Sequence, residues 1–219
     1  MSAISGSKSG YHHGDLRNAL IAAAVELAGD GGPEKVVLRE AARRVGVSPT
    51  AAYRHFASQG ELLNAVKDHG QQVLAAAMEQ AAADSPPAAD PGEAAELRLK
   101  AIGRGYIGFA LGRPGLFRTA FCSPRFTGEG DDGWAGVTRP GPGPEYRAFA
   151  LLTGVLDALA DAGRLSAGNR PASEAAAWAG VHGLSLLMLD GPMRRLPEEA
   201  REAVIERTLA VVVAGIVAP

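Results

Sequence analysis

The sequence predicts an all-α protein of about nine helices. Apolar residues recur at intervals of three and four through most of the chain. No stretch keeps the strict alternation of a half-buried strand. Pro- and Gly-rich breaks punctuate the apolar runs where helices end. No internal repeat is present.

The most informative segment is 36–63, VVLREAARRVGVSPTAAYRHFASQGELL. In Leu38–Val45, Leu38, Ala41, Ala42 and Val45 stand at i, i+3, i+4 and i+7, which gives a helix with one apolar face. Gly46 accepts a left-handed backbone and turns the chain. Val47 points back into a small core. Ser48 is a good N-cap, and Pro49 suits the first helical position, where a missing N–H costs nothing. The spacing predicts a helix over 49–56 with Ala52 and Phe56 inward. Thr50, Ala51, Arg54 and His55 are then outward, with Tyr53 at the border. Ser58 to Glu61 reads as a capping box that opens a helix over 59–83. Two short helices around a glycine turn, the second with a polar outer face, form a helix-turn-helix, which presents its second helix to the major groove of DNA.

Downstream, DSPPAADPG (84–92) is a break. A helix follows over 93–111, then a short one over 114–121. Residues 122–143 are rich in Gly, Pro and Asp and read as loop. Further helices are expected over 144–162, 171–189 and 197–217, the last with Val204, Ile205, Leu209, Val212 and Ile216 as its stripe. The helix over 171–189 is apolar almost all round. It is either a central core helix or, with 197–217, half of a four-helix seam between two subunits, with Leu186 and Leu209 as seam residues.

Composition narrows the function. The 219 residues, 47% hydrophobic, suffice for one large domain or two small ones. The net charge is −2, but residues 1–60 carry +2 and the remainder −4, a modest asymmetry that would not suggest DNA without the motif. The single cysteine, Cys122, excludes an intrachain disulfide and fits a reducing cytoplasm. Met1–Gly10 is polar and does not resemble a signal peptide. The uncharged run 175–189 is too short to span a bilayer, so no membrane association is expected. No GxSxG, P-loop, GxGxxG or HExxH pattern occurs, and His12-His13 lacks further ligands at useful spacing. The expectation is therefore a non-enzyme without cofactor or metal.

The order and spacing of these motifs resemble a known family. YHHGDLRNALIAAAVELAGDGG (11–32), LREAARRVGVSPTAAYRHF (38–56) and ELLNAV (61–66) are similar to the N-terminal domain of TetR-type transcriptional repressors. The family's first helix has a long apolar face, which Leu16, Leu20, Ala23, Ala24 and Leu27 would supply. Val37 stands where the family usually has a capping threonine, Ala41 where it has a branched apolar residue, and Gln59 where it often has a phosphate-reaching lysine. These departures bear on phosphate clamping and on the stability of the small domain. RPGLFRTAF (113–121) and AWAGVHGLSLL (177–187) resemble a C-terminal subtype with a W…HG pattern.

The resemblance implies a flexible arm over 1–10, a DNA-binding domain over 11–66 and an effector-binding and dimerisation domain over 67–219. It implies a homodimer, double-stranded operator DNA and a small-molecule effector as partners, and a cytoplasmic repressor as the function. Arg54 is the expected base-edge reader, because its fork matches guanine O6 and N7. Thr50 and Ala51 would meet a thymine methyl, and Tyr53 and His55 would hydrogen-bond phosphates, as in the family. Arg39 would reach backbone or a base, and Ser48 and Pro49 would set the start of the reading helix. Lys8 and Arg17 would add sequence-blind attraction. The effector is expected among Arg104, Phe109, Phe117, Phe121, Trp178, His182 and Met188, largely apolar, with His182 or Arg104 orienting one polar group. His182 is alternatively a core histidine bonded to a backbone group. The competing function is a small-molecule carrier or enzyme that uses the same cavity and has lost DNA binding.

Overall fold

The computed structural model describes residues 13–122 and 147–217. The expected arm with Lys8, His12, the segment 123–146 with Trp134, and the expected helix start at Pro144 lie outside the described residues. Among the described residues there are nine α-helices, two 3-10 turns and no strand. They are α1 (His13–Gly31), α2 (Leu38–Val45), α3 (Pro49–Tyr53), α4 (Gln59–Ala83), α5 (Pro91–Gly112), α6 (Pro114–Ala120), α7 (Arg147–Asp161), α8 (Ser173–Leu189) and α9 (Glu198–Ile216). The 3-10 turns, Pro33–Lys35 and Pro192–Arg195, precede α2 and α9 and were not expected.

At ends that lie within the described residues, three helices begin or end two or more residues from their expected positions, each for a local reason. α3 stops at Tyr53 instead of Phe56. Arg54 is its C-cap, and the Phe56 N–H donates to the Ala52 carbonyl at 3.1 Å. This turn buries the Phe56 ring, with the Arg17 guanidinium 4.9 Å above it. The chain must turn there because the next cap, Ser58, comes two residues later. Its hydroxyl accepts from the Glu61 N–H at 3.1 Å, while the Glu61 carboxylate accepts from the Ala57 N–H at 2.7 Å. α5 begins earlier than expected, at Pro91, because Asp90 caps it by accepting from the Glu93 N–H at 2.7 Å. α8 begins at Ser173 rather than at Pro171, because Ala172 takes a left-handed backbone, φ +64°.

α1, α2 and α3 fold around the start of α4, burying Leu20, Leu27, Leu38, Ala41, Ala52, Phe56, Leu62 and Val66. α4 then runs on unbroken and carries Leu74, Ala75 and Met78 into the second part of the core. α5 lies at the centre of that part, packed against α4, α6, α7, α8 and α9. α6 is wedged between α1, α4 and α5. The core is continuous from α1 to α9.

Candidate functional site

The helix-turn-helix is built from backbone bonds and two caps. Gly46 sits at φ +79°, and the Val47 N–H donates to the Ala42 carbonyl at 3.0 Å, closing α2. Val37 begins α2 without a side-chain cap, so the departure seen in the sequence has a structural counterpart. Ser48 caps α3 by accepting from the Ala51 N–H at 3.2 Å, and Pro49 opens the helix. Ala52 is buried, while Thr50, Tyr53 (46% exposed) and Arg54 face outward and Ala51 and His55 are half-buried. Arg39 is exposed in the first turn of α2.

The arginines of this domain divide into two kinds. Arg43 donates twice to Glu40, at 2.9 and 2.6 Å, which holds the Glu40 carboxyl below its ordinary value. Arg44 pairs with Asp30 at 2.7 Å and approaches Glu26 at 3.5 Å. Arg39 and Arg54 make no ion pair among the described residues. Of the residues singled out in the sequence, the fold thus brings Arg39, Thr50, Tyr53 and Arg54 to the exposed outer surface of α2 and α3, with His55 at its edge.

In the second part of the core, Tyr106 on α5 is surrounded by Phe117 and Phe121 from the α6 region and by Trp178 and His182 from α8. Its ring centroid lies 6.0 Å from both phenylalanines, 5.5 Å from Trp178 and 6.3 Å from His182. Its hydroxyl is 2.7 Å from His182 Nδ1. Burial pushes the Tyr106 phenol up and the His182 imidazole down, so both groups are neutral at neutral pH. His182 therefore has a side-chain partner, not the backbone partner considered from the sequence. Tyr106 itself was missed as a site residue. Its spacing of three before Phe109 was the available signal, since it places both on neighbouring inward positions of one helix.

A cavity of about 30 Å³ lies beside Tyr106, between α4, α5, α7, α8 and α9. Its lining includes Leu99, Gly103, Tyr106, Trp178, Val181 and Val212. Of the seven expected ligand residues only Trp178 lines it. Phe117, Phe121 and His182 are in the aromatic cluster around Tyr106, and Met188 is buried in the core. Phe109 borders a separate outer groove between α4 and α5, about 580 Å³, with Gly105, Gly108 and Arg113. Arg104 points away: it pairs with Glu202 at 3.0 Å and with Glu206 on α9, and these hydrogen bonds raise its pKa further. It cannot orient a ligand in the cavity without breaking that pair. The cavity also reaches α4 and α9, where none of the expected ligand residues lies.

α9 closes the cavity at short range. A Cβ on Gly103 would meet Leu209 Cδ2 at 2.6 Å, and one on Gly180 would meet Val212 Cγ2 at 2.7 Å. Leu209 is 2% exposed and faces this core, so it is not a seam residue. The outer faces of α8 and α9 expose Leu186, Leu187 and Val211 (54%) instead. Among the described residues no helix is long and apolar enough to cross a membrane, and no group of metal-ligating side chains is found.

Two family models match the chain. Bacterial regulatory proteins of the tetR family match residues 20–66, and the tetracyclin repressor-like C-terminal domain matches residues 99–212. The chain belongs to the TetR family. It is accordingly a DNA-binding transcription regulator, and the family is one of regulators rather than enzymes. No curated protein matches it significantly. Among solved structures, a protein of unknown function from Rhodococcus sp. RHA1 is 24% identical, with 96% of this chain and 100% of that one covered and a TM-score of 0.71. A TetR family transcription regulator from Marinobacter aquaeolei VT8 is 17% identical over 92% and 95%, with a TM-score of 0.58. A TetR variant from Acinetobacter baumannii AYE, in complex with minocycline, is 19% identical over 94% and 96%, with a TM-score of 0.57. These likenesses establish the TetR fold across both parts of the chain.

Proposed function

We propose that the protein is a homodimeric repressor that binds a two-fold operator and leaves it when a small, largely apolar molecule enters the C-terminal part. The observation that carries this reading is the outer face of α2 and α3, where Arg39 and Arg54 stand exposed without an ion pair among the described residues while Arg43 and Arg44 are held by acids. Arg54 reads a base edge through its bidentate fork, and Thr50 and Ala51 meet a thymine methyl. Tyr53 and His55 hydrogen-bond phosphates, and Arg39 reaches the backbone at the start of α2. Ser48 and Pro49 fix the angle at which α3 enters the groove. The exposed apolar face of α8 and α9, with Leu186, Leu187 and Val211, supports pairing of two copies. Such a dimer presents two α3 helices to half-sites about 34–36 Å apart. The site of action is then the cytoplasm.

The effector works by preferring a conformation whose two α3 helices no longer match that spacing. By linkage, operator DNA must weaken effector binding by the same factor. A mobility shift on DNA upstream of the gene, at several salt concentrations, tests the first half. Log affinity should fall against log salt by about 0.9 per phosphate neutralised. Calorimetry of an active ligand with free and operator-bound protein tests the second. Absence of a specific shift at moderate salt removes the repressor reading, and equal affinity for the two forms removes the coupling.

A further inference from the structure

α6 is held to the DNA-binding part by close contacts at both of its ends. A side chain on Gly115 would overlap the carbonyl oxygens of Ala28 and Gly29 in α1. A Cβ on Gly70 of α4 would meet Ala120 Cβ at 2.9 Å, and Gln71 Nε2 donates to the Ala120 carbonyl at 3.0 Å. Contacts this close leave little room for sliding, so α6 moves with α1 and the first half of α4. On its other side α6 meets α8 in two ways. The first is by rings: the centroids of Phe117 and Phe121 lie 5.5 and 5.0 Å from that of His182, and Phe121 is 6.0 Å from Trp178. Burial of this kind is non-directional and adheres without fixing an angle. The second is Arg118, whose Nε and Nη2 donate to the two carboxylate oxygens of Asp190 at 3.1 and 2.6 Å. A fork of two parallel bonds fixes direction as well as distance.

Among ion pairs between described residues, this is the one that joins α1, α2, α3 or α6 to the stretch from α7 to α9. Glu34, in the turn that leads to α2, adds a second negative charge near the Arg118 guanidinium, and Arg194 adds a positive one near Asp190. We propose that Arg118 is a positioning residue for DNA binding: its fork on Asp190 sets the DNA-binding part, through α6, at one angle to the end of α8. A reading helix must meet base edges at a fixed angle, whereas sequence-blind attraction to phosphates needs no register. A loosened angle therefore weakens the specific complex and spares the non-specific one. The two side chains are 36% and 53% exposed, so the pair adds little to stability, and its effect is on the angle.

Two measurements test this, and only the second depends on the operator reading above. The first uses nitroxide labels on Asn18→Cys in α1 and Arg195→Cys beyond α8, both exposed positions, in a Cys122→Ser background. Labelled chain is diluted into unlabelled chain, and double electron–electron resonance gives the distance within one subunit. Asp190→Asn and Arg118→Gln should each broaden or shift that distribution. Asp190→Glu, which keeps the carboxylate, should stay near the parent. Arg147→Gln, which removes another exposed pair, with Glu79 between α7 and α4, should change nothing. The second measurement is the ratio of operator to random-DNA affinity. Asp190→Asn and Arg118→Gln change the net charge in opposite senses, yet both should lower the ratio by about threefold, and the double variant no further. Ratios that move in opposite directions would assign the effect to overall charge and overturn the inference. An unaltered distance in both variants overturns it, as does a broadened distance with an unchanged ratio. If the parent chain has no specific site, the operator reading falls and takes the DNA-binding role with it. The distances then still decide whether the pair holds the angle.

Discussion

A methyl group on Gly115 would overlap the carbonyl oxygen of Ala28. Gly115 lies in the first turn of α6, and Ala28 is in the last turns of α1, so the two helices meet backbone to backbone. The same α6 carries Phe117 against Tyr106, and Arg118 pairs with Asp190 beyond the end of α8 at 2.6 Å. α6 thus touches the DNA-binding part and the aromatic cluster at once.

Gly115→Ala should cost about 1–3 kcal/mol of stability, because neither backbone can yield cheaply. Gly108→Ala, on the exposed side of α5 with open space around its Cβ, should instead stabilise by about 0.4–1 kcal/mol. Urea unfolding of the two variants checks both signs. Equal effects would show that the close approach at Ala28 carries no energy.

Arg54→Ala should cost roughly 1–3 kcal/mol on the cognate operator and much less on random DNA. Arg43→Ala should change either by less than about 1 kcal/mol, because its guanidinium is already held by Glu40 at the exposed surface. Titrations on both DNAs distinguish the two. Equal losses for Arg54→Ala on operator and random DNA would restrict that side chain to backbone contacts.

Val211→Glu and Leu187→Glu should dissociate the proposed dimer without unfolding the subunit, since both side chains are exposed in the single chain. Leu209→Glu should unfold it, because an unpaired buried charge costs several kcal/mol. Sedimentation with circular dichroism separates these outcomes. A dimer that survives both exposed substitutions puts the interface elsewhere.

Stability should fall as the pH drops below about 6.5. Burial holds His182 below its ordinary 6.5, and burial together with Arg113 does the same for His69. The unfolded chain therefore takes up these protons at higher pH than the folded one does. The stabilisation is complete above 6.5 and is lost as the pH falls toward the folded values. Replacing both residues by Gln should flatten the urea midpoint between pH 7 and 5. An unchanged slope in that variant would assign the dependence to other groups.

The helix-turn-helix was legible because its signals are local. Gly46, Ser48 and Pro49 each act within a few residues, and the structure uses each as the spacing implies. The end of α3 was not legible, since a pattern that makes Phe56 inward fits a continuing helix as well as a turn. The surroundings of the expected ligand and seam residues were not legible for a different reason. Periodicity places Arg104, Phe109 and Leu209 on helix faces but does not say which neighbour each face meets. Arg104 meets Glu202 and Glu206, nearly a hundred positions away. Leu209 meets Gly103 across a contact that only the absence of a side chain permits. Tyr106 escaped notice for the same reason: its partner, His182, lies 76 residues further on.

The acids that hold Arg43 and Arg44 have a consequence at the scale of the genome. Attraction to phosphates is blind to sequence, and every free cation deepens the hold on the millions of wrong positions that compete with one operator. With these two guanidiniums paired to acids and a chain of net charge −2, the sequence-blind part of the attraction to DNA is reduced. On the repressor reading proposed above, fewer copies would then be needed to keep an operator occupied.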